Sequence, residues 1–206
     1  MIKSLLQKLK FYVRENSACC AVCAASLLCG VIVGTVYAFS LTELSAKELS
    51  LYFGDFFGSF VQAGTDSSVI FADALRAQAI FFVFLLLCSG MIFGAPFIAA
   101  AGVGNGFSVG FTIAFLLKTY GIRALLFAAG GMLPHMLIML PCHLAALCVC
   151  MRFSVSLLKE RAGLKKQLPR HALMLFALFA AALAAVLLQA YIEPLLVSLM
   201  AGYFVG

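Results

Sequence analysis

The sequence contains no tryptophan, and only 11% of its 206 residues are charged, whereas 65% are apolar. A typical soluble domain is about 25% charged and roughly 45–50% apolar. A folded chain of this size leaves much of its surface in contact with solvent, so most of that solvent is lipid. These scarcities exclude a soluble enzyme, a disordered tail and a small disulfide-stapled domain. Without tryptophan, the membrane borders are marked by Tyr, Phe, Lys and Arg.

Long uncharged runs predict five membrane-spanning helices, because about 20 apolar residues cross a hydrocarbon core of roughly 30 Å. The predicted spans are 17–39, 77–101, 102–118, 124–151 and 171–190. The third run is short enough to form a half-membrane hairpin instead. The run Gly102-Val103-Gly104-Asn105-Gly106 at its start predicts a tight turn at the membrane edge. The sequence therefore predicts an all-α, polytopic membrane protein with one integral membrane domain, 1–206.

The order of the charges predicts the orientation. Five crossings place residues 1–16 and the basic loop 152–170 on the same side, with ten Lys and Arg there and four on the other side. The positive-inside rule makes the richer side the cytoplasm. The loop 40–76 and the end 191–206 are then extracytoplasmic. A third run that failed to cross would leave the six cations of the basic loop outside, so the charges favour a full span.

Two flanking segments have helical amphipathic patterns. Residues 1–16 predict a basic helix on the anionic inner leaflet. In the outer loop, Ser45-x-x-Glu48 predicts a capping box that opens an amphipathic helix with one aromatic face. That face either rests on the membrane or receives a partner's helix. The candidate partner-binding residues are Phe53, Asp55, Phe56, Phe57, Phe60 and Asp66.

Pairs of glycines at four-residue spacing occur in three of the runs and let helix backbones approach closely. They are Gly30 and Gly34, Gly90 and Gly94, and Gly106 and Gly110. The pattern predicts packing between helices of one chain or between two copies, so a homodimer is one alternative. A dinucleotide-binding loop at the third run would need a preceding strand, which the sequence does not offer. Neither a cofactor nor nucleic acid is predicted.

The fourth span combines Leu133-Pro134-His135 with Leu140-Pro141-Cys142-His143. Prolines remove backbone hydrogen bonds, and ionisable residues inside a membrane are candidate functional sites. Pro134, His135, Pro141 and His143 therefore mark either a structural kink, with each histidine bonding a carbonyl freed by a proline, or a polar site on a proton or ion path. The kink is favoured, because no Asp or Glu lies between Asp73 and Glu160 to complete a relay.

All eight cysteines lie within the predicted spans, so no exported disulfide is expected. A closed zinc site would need four converging ligands that lose their protons inside lipid, which is costly. Small buried side chains are the simpler interpretation, and no metal is predicted.

The layout as a whole resembles the stage II sporulation protein M family. The motifs that carry the resemblance are Phe56-Phe57-Gly58, Gly94-Ala95-Pro96, Asn105-Gly106-x3-Gly110-Phe111, the paired-proline span and Tyr191-Ile192-Glu193-Pro194. The wider family often has Pro-His-Gly followed by a Glu ahead of the second proline. This sequence has Met136 and Met139 at those two places, so acid-dependent chemistry is not carried over to it.

The resemblance implies a non-enzymatic membrane scaffold of endospore-forming bacteria. Such a scaffold anchors the peptidoglycan hydrolases known as stage II sporulation proteins D and P at the septum and in the engulfing mother-cell membrane. An alternative from another class is a transporter or permease subunit with a midplane site around His135 and His143. Paired prolines and glycine-interrupted spans also occur in transporters.

Overall fold

The computed structural model describes residues 17–49, 51, 67–121, 133–159 and 164–193. This part of the chain is helical and contains no strand. The five long helices are α1 (Ser17–Ser40), α2 (Ser67–Ser89), α3 (Gly94–Tyr120), α4 (Leu133–Lys159) and α5 (Leu164–Leu187), and a π-helical turn (Leu188–Ile192) extends α5. All five are long and apolar enough to cross a membrane, which confirms the predicted polytopic all-α fold.

The outer surface of the bundle is apolar. Large side chains such as Ile32, Leu87, Leu173 and Phe176 are between 64% and 69% exposed. Soluble proteins rarely expose contiguous apolar patches larger than a few hundred Å². The surface therefore fits hydrocarbon, and the chain is a multi-pass membrane protein.

The bounds of α2 and α3 differ from the uncharged runs of the sequence. Helix α2 begins at Ser67, so Asp73 and Arg76 lie within it, and it ends at Ser89. Helix α3 then runs without interruption from Gly94 to Tyr120. The turn predicted at 102–106 is wrong, because these residues lie in the middle of α3. The chain reverses instead at 90–93.

The turn at 90–93 contains no charged residue, so the charge pattern of the sequence does not predict it. Its backbone groups are paired within the protein: Met91 N donates to the Cys88 carbonyl at 3.1 Å, and Gly94 N donates to the Met91 carbonyl at 3.1 Å. Ser154 Oγ of α4 also donates to the Met91 carbonyl, at 3.3 Å. A turn that satisfies its own polar groups in this way needs no polar side chains.

Helices α1 and α3 pack with their backbones in contact. A Cβ atom on Gly30 would overlap the Val103 carbonyl oxygen, and one on Gly34 would overlap the Phe107 carbonyl oxygen. Both obstacles are backbone atoms, which no side-chain rotation can move. These two positions of α1 therefore accommodate only glycine at this helix separation.

The glycines of α3 repeat the arrangement from the other side. A Cβ on Gly106 would overlap the Leu27 carbonyl oxygen, and one on Gly110 would overlap the Val31 carbonyl oxygen. The contacts advance in the same direction along both helices, so α1 and α3 are parallel. The two glycine pairs are thus used against each other within one chain, and they do not need a second copy to explain them.

The third glycine pair behaves differently. A Cβ on Gly94 would overlap the Cys88 carbonyl and approach Ser154 Oγ, so Gly94 allows the close turn between α2 and α3 against α4. A Cβ on Gly90 would meet only the Leu86 and Leu87 carbonyls of its own helix, at ordinary contact distances. Gly90 therefore does not hold two helices together.

Lys118, near the end of α3, caps the carboxyl end of α1. Its Nζ donates to the carbonyls of Ala38, Phe39 and Leu41 at 3.4, 3.0 and 2.9 Å. The last carbonyls of a helix lack partners of their own, and a cation near them is stabilising. The contact also shows that α1 and α3 end at the same side of the bundle.

A short helix at 43–49 follows α1 and lies on the ends of α1 and α3. Leu41, Ala46 and Leu49 pack against a small core of Ala38, Ala114 and Phe115. The predicted capping box at Ser45 and Glu48 is wrong by one turn. Ser45 N instead donates to Thr42 Oγ1 at 3.5 Å, so the helix begins after Thr42 and Ser45 lies inside it.

The main core draws on all five long helices, and α4 buries the largest share of its length. All eight cysteines are free thiols, and four of them lie fully inside this core: Cys23, Cys88, Cys148 and Cys150. Small, polarizable side chains fill the narrow space between closely packed helices.

The contacts between helix ends show that successive helices run in opposite directions. The turn at 90–93 meets α4 through Ser154, and Ser89 meets the first turns of α5 through His171. At the other end, His135 at the start of α4 meets Glu193 just after α5. Helices α1, α3 and α5 therefore run one way and α2 and α4 the other, and we call the end that carries residues 159 and 164 the basic end.

Candidate functional site

Three buried histidines each hydrogen-bond to a polar side chain of another helix in the group α2, α4 and α5. They are His135, His143 and His171, and all are 5–7% exposed. Buried polar groups are costly in an apolar medium unless paired, and the cost is greatest where no water can enter. The three pairs are therefore the most unusual chemical feature of the described bundle.

The first pair lies at the end opposite the basic end. His135 Nδ1 and Glu193 Oε1 are 2.5 Å apart, and the backbone N of His135 donates to the same oxygen at 3.3 Å. Both side chains are less than a tenth exposed. Since the acid follows α5 and the base begins α4, the pair fastens the two helix ends together.

The second pair lies near the middle of the bundle. His143 Nε2 is 2.8 Å from Nε2 and 3.1 Å from Oε1 of Gln78 in α2. The Phe81 ring is tilted against the imidazole with centroids 4.4 Å apart. One side of the imidazole is thus held by an amide and another by an aromatic ring, which fixes its orientation.

The third pair lies toward the basic end. His171 Nε2 is 2.9 Å from Ser89 Oγ, which also donates to the Leu86 carbonyl at 2.8 Å. The imidazole is stacked on Phe153 of α4 with centroids 4.1 Å apart and planes 8° apart. A serine, a histidine and a phenylalanine thereby join α2, α5 and α4 at this level.

These partners differ from those the sequence suggested. Neither His135 nor His143 bonds a carbonyl freed by a proline, because their side chains bond Glu193 and Gln78 instead. Pro141 lies in the interior of α4. Pro134 is the second residue of the helix, where a missing N–H costs little.

Three polar residues of the site escaped sequence reasoning. Gln78 lies in an uncharged run, His171 opens the last predicted span, and Glu193 belongs to the predicted extracytoplasmic end. The usable signal for Glu193 was its position directly after the last span, at the depth where Pro134 and His135 begin α4. A buried acid at this depth needs a partner, and His135 in the first turn of α4 supplies it.

The three pairs do not join into one path. His135 and His143 are eight residues apart, which is about 12 Å along a helix at about 1.5 Å per residue. Gln78 and Ser89 are eleven residues apart, about 16 Å by the same rise. Hydrogen-bonded proton transfer requires donors and acceptors within about 3 Å. Ser154 is the only other buried polar side chain among the described residues, and it bonds the Met91 carbonyl.

A protein metal site needs several ligands that converge on one point. Within 17–49, 67–121, 133–159 and 164–193, no group of three or more His, Cys, Asp or Glu side chains is arranged to hold a metal ion. The only buried side-chain polar atom without a partner in these ranges is Asn105 Nδ2 of α3.

The predicted partner-binding surface lies outside the described residues. This applies to Phe53, Asp55, Phe56, Phe57, Phe60 and Asp66, and also to the basic segment 1–16. The described part of the outer loop is its first stretch, which packs on the ends of α1 and α3 through Ala46 and Leu49.

Comparison with known proteins gives one match. No curated protein sequence and no solved structure is significantly similar to the chain. A family model described as stage II sporulation protein M matches residues 23–194, which begins inside α1 and ends one residue after the acid that pairs with His135. The five apolar helices are consistent with this match, which covers most of the chain. The chain therefore belongs to the stage II sporulation protein M family.

Proposed function

We propose that the protein is a non-enzymatic membrane scaffold that localises peptidoglycan hydrolases during endospore formation. The family match and the polytopic fold support this role. The partners implied by the family are stage II sporulation proteins D and P, acting at the septum and in the engulfing mother-cell membrane. In this proposal the five helices hold the outer loop at a fixed place on the membrane.

The observation that carries the proposal is the anchoring of the outer loop on the bundle. The helix at 43–49 packs through Leu41, Ala46 and Leu49 onto Ala38, Ala114 and Phe115, so the loop leaves the bundle from a rigid base. Lys118 ties the same corner together by binding the last carbonyls of α1. A docking surface that begins at a rigid point loses less conformational entropy when a partner binds.

The contact surface in this proposal is the aromatic stretch that follows that base. Phe53, Phe56, Phe57 and Phe60 would supply apolar contact area, while Asp55 and Asp66 would set electrostatic register. Aromatic residues are enriched in the cores of protein interfaces, and charges around them act mainly on specificity and on the rate of association.

The transporter alternative receives less support from the geometry. A midplane site around His143 would need polar groups that line a route to both surfaces. The imidazole is instead held by Gln78 and covered by Phe81. The neighbouring polar pairs are more than a helical turn away in each direction.

We expect the quadruple change of Phe53, Phe56, Phe57 and Phe60 to serine to reduce co-purification of stage II sporulation protein D at least tenfold. Removing four apolar anchors takes away most of the contact area, whereas the helices that insert into the membrane are unchanged. Co-purification from detergent-solubilised membranes, with membrane content measured by immunoblot, would check both points.

Phe93→Ser is the control. Phe93 is 75% exposed and lies in the turn at the opposite end of the bundle, so its loss should leave co-purification within twofold of the native level. Full recovery of the hydrolase with the quadruple variant, at normal membrane content, would remove the aromatic stretch from the proposal.

A further inference from the structure

The lipid-facing side of the bundle has a groove of about 710 Å³ between α2 and α5, in the half nearer the basic end. Its floor consists of Phe82 and Leu175, which are 6% and 5% exposed. Its walls include Val83, Leu173 and Phe176, which are 54–69% exposed. In a membrane such a groove is filled by hydrocarbon, because water is absent at that depth.

The length of the groove corresponds to one leaflet. Its lining on α5 extends from Pro169 to Phe179, which is about 15 Å at about 1.5 Å per residue. A hydrocarbon core of roughly 30 Å gives each leaflet about half of that thickness. A partner's transmembrane helix would need a face that continues through both leaflets.

The groove does not continue into the other leaflet. The lining ends at Ala79 and Phe179, and beyond them the rings of Phe71 in α2 and Tyr191 in the π-helical turn lie in contact, with centroids 6.4 Å apart. The open end of the groove therefore lies at the basic end, and its closed end lies near the middle of the bundle. This shape fits an acyl chain that enters from one membrane surface.

The open end is positively charged. Arg170, next to Pro169 in the lining, is exposed and has no hydrogen bond or ion pair with any residue that the structure describes. Lys165 and Lys166 lie in the first turn of α5, one turn before Pro169. Guanidinium and ammonium groups are the usual partners of phosphate, and basic sites between transmembrane helices bind anionic headgroups.

We propose that the groove binds one anionic phospholipid of the leaflet at the basic end, with an acyl chain along Phe82 and Leu173 and its phosphate at Arg170. The apolar groove of one-leaflet length supplies the site for the chain. The exposed Arg170 at its open end, together with the lysines of the first turn of α5, supplies the preference for a negative headgroup. The proposal does not depend on the scaffold role, since it concerns the face of α2 and α5 rather than the outer loop.

Native mass spectrometry of the purified full-length protein tests the proposal. The protein is delipidated in detergent and offered equal amounts of phosphatidylglycerol and phosphatidylcholine with identical acyl chains. We expect one phosphatidylglycerol to be retained at least fivefold more often than phosphatidylcholine. Equal retention of the two lipids would overturn the proposal.

Two alanines of α5 provide a matched pair of variants. Ala172 lines the groove and Ala177 does not, yet both are exposed on the same helix. Ala172→Phe should fill the groove and lower retention of phosphatidylglycerol at least fivefold, whereas Ala177→Phe should stay within twofold of the native protein. Arg170→Gln should reduce the preference for phosphatidylglycerol to less than half. Retention unchanged by Ala172→Phe would contradict the site.

A labelling experiment on the native protein tests the same site without relying on variants that must fold. Phosphatidylglycerol with a photoreactive diazirine on its acyl chain should label peptides that contain residues 169–179 at least fivefold more than peptides from the exposed face of α1. Equal labelling of the two regions would mean that lipid covers the bundle without a preferred site, and the proposal would then be wrong.

Discussion

Gly106→Leu is expected to separate α1 from α3 and to lower the melting temperature of the purified protein by roughly 6–12 °C. A Cβ at this position would overlap the Leu27 carbonyl oxygen and approach Val31 N, and both are backbone atoms. The helices can relieve that overlap only by moving apart. Overpacking costs about 1–3 kcal/mol, and this site lies at the upper end, with roughly 2–4 °C per kcal/mol for chains of this length.

The same helix supplies the control for this substitution. Gly104 lies two residues before Gly106, and a Cβ there meets no atom within 4 Å. Gly104→Leu changes helix propensity and volume in the same way but should shift the melting temperature by less than about 2 °C, as for a typical surface change of within about 0.5 kcal/mol. Comparable losses in both variants would show that α1 and α3 are not packed at this separation.

The second large effect is expected at the buried pair that joins α4 to the end of α5. Glu193→Ala leaves the buried His135 imidazole and its backbone N–H without their acceptor. An unsatisfied buried polar group costs about 1–3 kcal/mol, and two donors depend on this one carboxylate. We therefore expect a loss of about 2–3 kcal/mol, measured as a lower melting temperature in detergent.

A double-mutant cycle separates the interaction energy of His135 and Glu193 from the other effects of each substitution on stability. His135→Ala alone should cost a similar amount, and the double variant with Glu193→Ala should lose clearly less than the sum of the two, because the second change removes a partner that is already gone. Glu193→Gln retains an acceptor oxygen and should recover part of the loss. Glu48→Ala, at an exposed acid of the outer loop, should have little effect. Strict additivity would mean that His135 and Glu193 do not interact.

The number of helices was predictable because it depends on local composition alone. Each span contains about 20 apolar residues in sequence, and nothing outside the segment alters that requirement. The boundary between α2 and α3 was not predictable in the same way. The turn at 90–93 has no charged residue, since Ser154 and its own backbone satisfy its carbonyls. The glycines at 102–106 resemble a turn in sequence, but Gly102 and Gly106 serve close contact with α1, and Gly104 faces open space.

The glycine spacing and the histidine positions illustrate how far a candidate site can be read from sequence. Four-residue glycine spacing indicates a close helix contact, yet only the structure shows that Gly30 and Gly34 face Gly106 and Gly110. The histidines were recognisable as unusual, but their partners were not. His135 and Glu193 are 58 residues apart, and His143 and Gln78 are 65 apart. Pairing over such separations depends on helix packing, which local patterns do not encode.

We propose an orientation in which five crossings put the amino-terminal end and the 159–164 side in the cytoplasm and the loop after α1 on the wall side. Because the described helices alternate in direction, we expect residues 64 and 198 to share one side and residue 166 to lie on the other. The charge distribution assigns the side with residue 166 to the cytoplasm.

Cysteine accessibility tests this claim most directly, with Gly64→Cys, Lys166→Cys and Ser198→Cys each introduced alone. All eight native cysteines lie in membrane-spanning helices, so they give little background with a membrane-impermeant maleimide. We expect labelling at positions 64 and 198 in intact cells, and at position 166 only after permeabilisation. Labelling at 166 in intact cells, with 64 and 198 protected, would reverse the orientation and contradict the scaffold proposal.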